Sequence, residues 1–123
     1  TFGGNPLAMA LGLACFEELT KPEFLAHVND MANHFGQALE GLKDRYPGLV
    51  LDVRGKGLLR GLKLSIDPKS VQAIARDKGL LVGVAGDNVL RFAPPLIIEP
   101  DHISQAIAIL DAALAEAAKT AKA

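Results

Sequence analysis

The chain is poor in the residues that build disulfides, metal sites and aromatic clusters. It has no tryptophan, one tyrosine, three histidines and a single cysteine, Cys15. One cysteine cannot form a disulfide within the chain, so a reducing, cytoplasmic setting is the simplest expectation. His27 and His34 are seven residues apart and His102 is far from both, whereas two metal ligands on one helix usually lie about three or four apart. The sequence therefore predicts no metal site.

Long apolar runs and an excess of one charge are also absent. No stretch of about 18 apolar residues occurs, and the first residues lack the basic start and apolar centre of a secretion signal. The 13 Lys and Arg residues nearly balance the 14 Asp and Glu residues, and both signs are scattered along the chain. This pattern argues against a nucleic-acid or membrane-surface partner, because either would need a basic face.

Half of the residues are apolar, and at 123 residues the chain is long enough for the core of one domain. Asn5-Pro6 predicts the start of a helix that runs to about Glu18 and is apolar on nearly every side. We expect Cys15 to be a small buried residue of this helix. The capping box of Thr20 and Glu23 predicts a second, longer helix, whose apolar residues recur at helical spacing.

The rest of the chain predicts short strands and two more helices. The four strand-like segments are Leu49 to Arg54, Gly57 to Ser65, Leu80 to Ala85 and Asn88 to Phe92. Gly55-Lys56 and Gly86-Asp87 are interpreted as hairpin turns, and helices are expected from Asp67-Pro68 and from Pro100-Asp101. The sequence thus predicts an α+β fold: a small antiparallel sheet of about four strands with helices packed on one face, preceded by an apolar helix.

Two motifs invite a functional interpretation. Gly55-Lys56-Gly57 with Gly61 looks like a dinucleotide-binding loop, but the last glycine comes one residue late and a strand follows, so we favour a hairpin. Arg91 lies in an apolar strand that ends at two prolines. It either faces solvent or points from the strand end into a cleft, where its planar fork suits a carboxylate.

Three segments together resemble one enzyme family. Thr1 to Ala8 looks like the segment after the lysine strand of class III, fold-type I aminotransferases, which use pyridoxal 5'-phosphate. Val53 to Gly61 is similar to the hairpin of their small domain, and Asn88 to Ile98 resembles the arginine strand of the acetylornithine and ornithine members. The resemblance implies the end of a large domain, or an interdomain helix, over residues 1–19 and a C-terminal small domain over residues 20–123. A start at Thr1 without an initiator methionine agrees with a fragment.

The resemblance also implies roles for two residues. A threonine at the place of Thr1 reaches across a homodimer to the phosphate of the partner subunit's cofactor. An arginine at the place of Arg91 holds the α-carboxylate of glutamate or 2-oxoglutarate. The family's catalytic lysine lies before the Thr1 segment, and no motif here matches the residues that hold the pyridine ring. We therefore expect no catalytic residue in this chain, and no activity of the chain alone.

The reaction implied is transfer of the terminal amino group of N-acetylornithine, or a close relative, to 2-oxoglutarate in arginine biosynthesis. Succinyl-diaminopimelate, ornithine and 4-aminobutyrate stay open as amino donors, because the pocket for the donor is built largely outside this chain. A free-standing α+β module that binds an amino acid or drives dimerisation is the alternative, and it would need a polar face on the first helix. A nucleotide-binding enzyme comes third, since the fingerprint is missing.

Overall fold

The computed structural model describes residues 1–120, in which a four-stranded antiparallel sheet stands in the order β1-β2-β4-β3. The strands are β1 (Val50–Lys56), β2 (Leu59–Leu64), β3 (Gly83–Ala85) and β4 (Val89–Phe92). The helices are α1 (Pro6–Leu19), α2 (Pro22–Arg45), α3 (Pro68–Asp77) and α4 (Pro100–Thr120). The α+β fold predicted from the sequence is confirmed, although β3 is shorter than expected.

A single apolar core joins one face of the sheet to helices α2, α3 and α4. Leu62 of β2 and Leu90 of β4 point into it and are fully buried. The large helix side chains that are less than 2% exposed are Leu39, Leu42, Val71, Ile103, Leu110 and Leu114. The rings of Phe35 and Phe92 pack edge to face with their centroids 5.6 Å apart. Burial of each large apolar side chain is worth about 1.5–3 kcal/mol, so the core holds the sheet from this one side.

Helix starts follow the sequence at two places and depart from it at a third. Asn5 accepts a hydrogen bond from the Ala8 N–H at 2.8 Å, and Asp67 accepts from the Lys69 N–H at 3.0 Å, so the helix starts predicted at Asn5-Pro6 and Asp67-Pro68 are confirmed. The predicted capping box at Thr20 is wrong. Lys21 is the N-cap residue of α2 and makes no side-chain cap bond, while the Thr20 hydroxyl donates back to Phe16 O at the end of α1.

The first hairpin turns two residues later than predicted. Gly55 pairs with Arg60 and Lys56 with Leu59, so the turn consists of Gly57 and Leu58. Gly57 has a φ of 59°, which suits the first position of a two-residue hairpin loop. Gly55 stays within β1, where a Cβ would lie 2.1 Å from Leu59 O. Strand β2 follows directly, which confirms a hairpin rather than a dinucleotide-binding loop.

The second hairpin has a three-residue loop instead of the predicted two-residue turn. Ala85 pairs with Val89, and Gly86, Asp87 and Asn88 connect them. Asp87 and Asn88 have φ angles of 62° and 56°. These two residue types adopt the left-handed conformation more readily than other non-glycine residues, which explains why the chain can turn here.

Helix α1 stands apart from this body, and none of its residues is buried. Cys15 is exposed, so the prediction of a buried cysteine is wrong for this chain, because no other element among residues 1–120 covers the helix. Among residues 1–120, no helix is both long and apolar enough to cross a membrane. The same residues form no cluster of three or more metal-ligating side chains. Nε2 of His27 lies 2.9 Å from the carbonyl oxygen of Ile98, which links α2 to the segment before α4.

Candidate functional site

The face of the sheet opposite the helices carries two rows of residues that run across the strands. Register places Arg54, Gly61, Arg91 and Gly83 in one row from β1 to β3. The neighbouring row consists of Asp52, Lys63, Val89 and Ala85. Residues paired across strands point to the same face, so two arginines alternate with two glycines in the first row. No paired side chain therefore stands directly beside Arg91 on either neighbouring strand.

The other cations of these rows are engaged by carboxylates. The Lys63 ammonium donates to both carboxylate oxygens of Asp87 at 2.8 Å. Arg54 donates through Nη1 to Asp87 at 2.9 Å and through Nε to Asp52 at 2.9 Å. Hydrogen bonds from Lys63, and then from Arg54, lower the pKa of Asp87 below its ordinary value. This exposed network of ion pairs links the β3–β4 loop to β1 and β2, and in it both Arg54 and Lys63 are paired with carboxylates.

The Arg91 side chain is exposed, and its guanidinium makes no hydrogen bond or ion pair within residues 1–120, although the backbone of the residue is paired in the sheet. Its guanidinium lies over Gly83, where a Cβ would be 3.3 Å from Nε and 3.4 Å from Nη2. The next residue, Phe92, is buried in the core, so the backbone that carries Arg91 is firmly held. The structure thus presents a planar cation from a central strand of the sheet on its open face, with its fork available to a carboxylate.

An apolar cleft of about 310 Å³ lies beyond the end of β4, but Arg91 is not among the residues that line it. Its walls include Phe35, Leu80, Pro94 and Ile98. The polar residue at its edge is His102, whose Nδ1 accepts the Glu99 N–H at 3.1 Å. A cleft without several convergent polar groups does not orient a polar substrate. The open face around Arg91 is therefore the better candidate site.

Thr1 lies at the other candidate position, before the N-terminus of α1. Asn5 Nδ2 donates to Phe2 O at 2.8 Å, and Gly4 has a φ of 78°, so residues 2–5 form a tight turn just before the helix. Thr1 is exposed, and the first turn of α1 contains no acidic residue. A helix N-terminus of this kind attracts anions through its free N–H groups. Within residues 1–120, no hydrogen bond or ion pair joins Thr1 to Arg91.

The sequence alone did not indicate that Gly83 lies beside Arg91, because this pairing depends on the length of the β3–β4 loop. A two-residue turn pairs Ala85 with Asn88 and sets Gly83 opposite Leu90. The actual loop is one residue longer and sets Gly83 opposite Arg91. A slip of one residue moves a side chain to the other face of a sheet. The φ preference of Asp87 and Asn88 is the signal that could have indicated the longer loop.

Comparison with curated proteins identifies close relatives of the whole chain. The chain is 48% identical over 113 residues to an acetylornithine aminotransferase of Caulobacter vibrioides, covering 92% of this chain and 28% of that protein. It is 42% identical over 123 residues to an acetylornithine aminotransferase of Agrobacterium fabrum, covering 99% of this chain and 31% of that protein. The chain therefore spans less than a third of the length of these two relatives.

Solved structures and a family model agree with these relatives. The N-acetylornithine aminotransferase of Stenotrophomonas maltophilia superposes with a TM-score of 0.84 and 31% identity over 96% of this chain and 33% of that one. The acetylornithine aminotransferase of Elizabethkingia anophelis gives 0.83 and 30% identity over 94% of this chain and 31% of that one. The family model for aminotransferase class-III matches residues 1–114. The resemblance of the three motifs is thus confirmed, and the chain belongs to the class-III aminotransferases.

Proposed function

We propose that this chain is the C-terminal part of a pyridoxal-phosphate aminotransferase of the acetylornithine type. The enzyme transfers the terminal amino group of N-acetylornithine, or a related diamine, to 2-oxoglutarate in the cytoplasm, as a step of arginine biosynthesis. Residues 1–19 belong to the end of the large domain and residues 20–123 to the small domain. Support comes from the family match over residues 1–114 and from the acetylornithine aminotransferases that are 48% and 42% identical.

The observation that carries the proposal is the exposed guanidinium of Arg91, unpaired within the described residues. Its guanidinium is exposed on the open face, has no partner within residues 1–120 and has a glycine beside it on each neighbouring strand. A planar cation with this access can bind both oxygens of a carboxylate at once. In our proposal Arg91 binds the α-carboxylate of glutamate or 2-oxoglutarate and thereby orients the group that gives or receives the amino group.

Thr1 fits the second role that the family implies, binding of the cofactor phosphate of a partner subunit. The residue is exposed, and the helix start beside it has no acidic side chain that would repel a phosphate. The Thr1 hydroxyl and the free N–H groups of α1 would hold the phosphate. When bound, the cofactor supplies the electron sink through which an amino group moves. The catalytic lysine of the family precedes the Thr1 segment, so we expect the chain alone to be inactive.

The exposure of α1 supports a larger assembly over a free-standing module. Leu7, Leu11 and Phe16 are 71%, 59% and 64% exposed, although they are large and apolar. An independent module would have a polar face on such a helix, because contiguous apolar surface in water promotes association. A large domain and a partner subunit, as proposed, would cover these side chains.

Substitution of Arg91 tests the proposed carboxylate contact in the full-length enzyme that carries this chain. Arg91→Lys keeps the charge but loses the fork, so we expect the half-reaction with glutamate to slow by about 10- to 150-fold. The half-reaction with N-acetylornithine should slow by less. Single-turnover kinetics of the two half-reactions measure both effects.

Arg76→Lys is the matched control, because Arg76 is an exposed arginine on α3 whose only ion pair within residues 1–120, with Asp77 at 3.6 Å, is loose. It should leave both half-reactions unchanged. Equal losses in the two half-reactions of Arg91→Lys, or no loss in either, would contradict the assignment of Arg91 to the carboxylate.

Substitution of Thr1 tests the proposed phosphate contact. Thr1→Ala should weaken retention of pyridoxal phosphate, because a hydrogen bond to a charged acceptor is worth about 1.5–3 kcal/mol. Thr1→Ser retains the hydroxyl and should bind normally. Titration of the cofactor-free enzyme with pyridoxal phosphate gives the affinities, and equal values for Thr1→Ala and the unchanged enzyme would rule out the contact.

A further inference from the structure

Arg91 has a glycine on each side, but its side chain lies against only one of them. A Cβ on Gly61 would lie 2.6 Å from Cγ1 of Val89, and no atom of Arg91 comes within 4 Å of it. The Val89 side chain therefore occupies the space over β2 where a side chain of residue 61 would lie. The guanidinium of Arg91 leans the other way, over Gly83 of β3.

The contact with Gly83 is close enough that any side chain there would move the guanidinium. A Cβ on Gly83 would stand 3.3 Å from Nε and 3.4 Å from Nη2 of Arg91. The contact with Nε is tighter than ordinary van der Waals packing and the contact with Nη2 is at its lower limit, so the flexible arginine must give way by a few tenths of an ångström. Within residues 1–120, no hydrogen bond or ion pair would hold the guanidinium in place against that push.

We propose that Gly83 is a positioning residue for Arg91: its missing side chain sets where the guanidinium rests and hence how well it meets a carboxylate. The inference rests on the proposed function, because it needs Arg91 to bind the α-carboxylate of glutamate. Gly83 itself does not touch the substrate. Two parallel hydrogen bonds from a fork depend on the positions of both nitrogens, so a small displacement of the guanidinium weakens them together.

The test uses the full-length enzyme with its cofactor and three variants. Gly83→Ala and Gly83→Val place a small and a larger side chain beneath the guanidinium. Gly86→Ala is the control, because a Cβ on this neighbouring loop glycine meets no atom within 4 Å. A misplacement of about 1 Å can cost about 100-fold in a reaction, so we expect the glutamate KM to rise about 3- to 10-fold for Gly83→Ala, and further for Gly83→Val. The N-acetylornithine KM and the Tm should stay unchanged, as should all values for Gly86→Ala.

A second substitution shows whether Gly83 acts through Arg91. In an enzyme that already carries Arg91→Ala, adding Gly83→Ala should not change the glutamate KM any further. The same rise in both backgrounds would overturn the proposal, and so would an unchanged KM for Gly83→Ala and Gly83→Val. If Arg91→Ala alone leaves the glutamate KM unchanged, the proposed carboxylate contact itself is wrong. A large loss for Arg91→Ala with none for Gly83→Ala removes only the role of Gly83.

Discussion

Helix α1 and the body formed by residues 22–120 are both rich in apolar side chains, yet they use them differently. Leu7 and Phe16 of α1 are 71% and 64% exposed, whereas Leu39 and Leu110 of the body are completely buried. Helices α2, α3 and α4 close over one face of a sheet, but α1 has no opposing surface within the described chain. Apolar composition therefore does not bury a helix by itself, since a core needs two surfaces that match.

The comparison also separates what each region needs in order to be stable. The body depends on its internal packing. Helix α1 has 14 residues, its Asn5 cap and little tertiary contact, and helices shorter than about 12–15 residues are marginal in water without packing. We therefore expect substitutions in the body to affect unfolding strongly, and substitutions in α1 to affect mainly what the helix can contact.

The largest effect is expected when a core leucine is shortened. Leu110→Ala should lower the free energy of unfolding by about 2–5 kcal/mol, because Leu110 is fully buried and its loss leaves a cavity. Leu11→Ala, the matched change in α1 at a residue that is 59% exposed, should alter it by less than about 0.5 kcal/mol. Urea denaturation of residues 1–123 measures both. Similar losses at the two positions would mean that α1 belongs to the core.

An added methyl group should distinguish the two regions in the same way. Gly61→Ala brings a Cβ to 2.6 Å from Val89, and relieving such a contact should cost about 1–3 kcal/mol of unfolding free energy. Gly12→Ala lies in α1, where a Cβ meets nothing within 4 Å, so it should only favour the helix. Denaturation curves of the two variants test this, and a neutral Gly61→Ala would show that Val89 moves aside freely.

A smaller effect on unfolding, but a visible one on association, is expected from polar substitutions in α1. The isolated chain should bury α1 against a second copy, or hold it poorly ordered, because its apolar side chains have no cover. Leu7→Lys together with Leu11→Lys should abolish any association while leaving the unfolding of the body nearly unchanged. Sedimentation velocity measures the association. A monodisperse monomer with a well-ordered, exposed α1 would contradict this expectation.

The smallest effect concerns the exposed ion pairs of Asp87. Its pKa lies below the ordinary 3.8, because Lys63 and Arg54 favour the charged carboxylate in the folded state. A depressed pKa contributes stability that is fully present above the ordinary pKa and is lost as pH falls through the folded pKa. Asp87→Asn, which tolerates the left-handed backbone at this position, should remove that pH dependence. The measurement is the free energy of unfolding of the unchanged chain and of Asp87→Asn at low salt, near pH 7 and below about pH 3.8. Added salt should diminish the difference between the two proteins near pH 7.

Several local features of the fold were predictable because their causes lie within a few residues. Helices start at Asn5-Pro6 and Asp67-Pro68 as expected, since the side chain before each helix reaches the free N–H groups without help from the rest of the fold. Strands β1, β2 and β4 also lie within two residues of their predicted bounds, whereas β3 begins three residues later than predicted. Thr20 shows the limit of such reasoning: Pro22 takes the first position of α2, so Lys21 becomes the cap residue.

By itself, the sequence determined the order of helices and strands, the helix starts at Asn5 and Asp67, and the presence of an arginine on a strand that ends at two prolines. These depend on short-range sterics and on the period of apolar residues. Only the tertiary structure decided what stands beside Arg91, because strand register depends on loop length as well as on the strands. Because the β3–β4 loop has one extra residue, Gly83 pairs with Arg91 and not with Leu90. A glycine thus lies beside Arg91, which leaves room for the guanidinium on the open face.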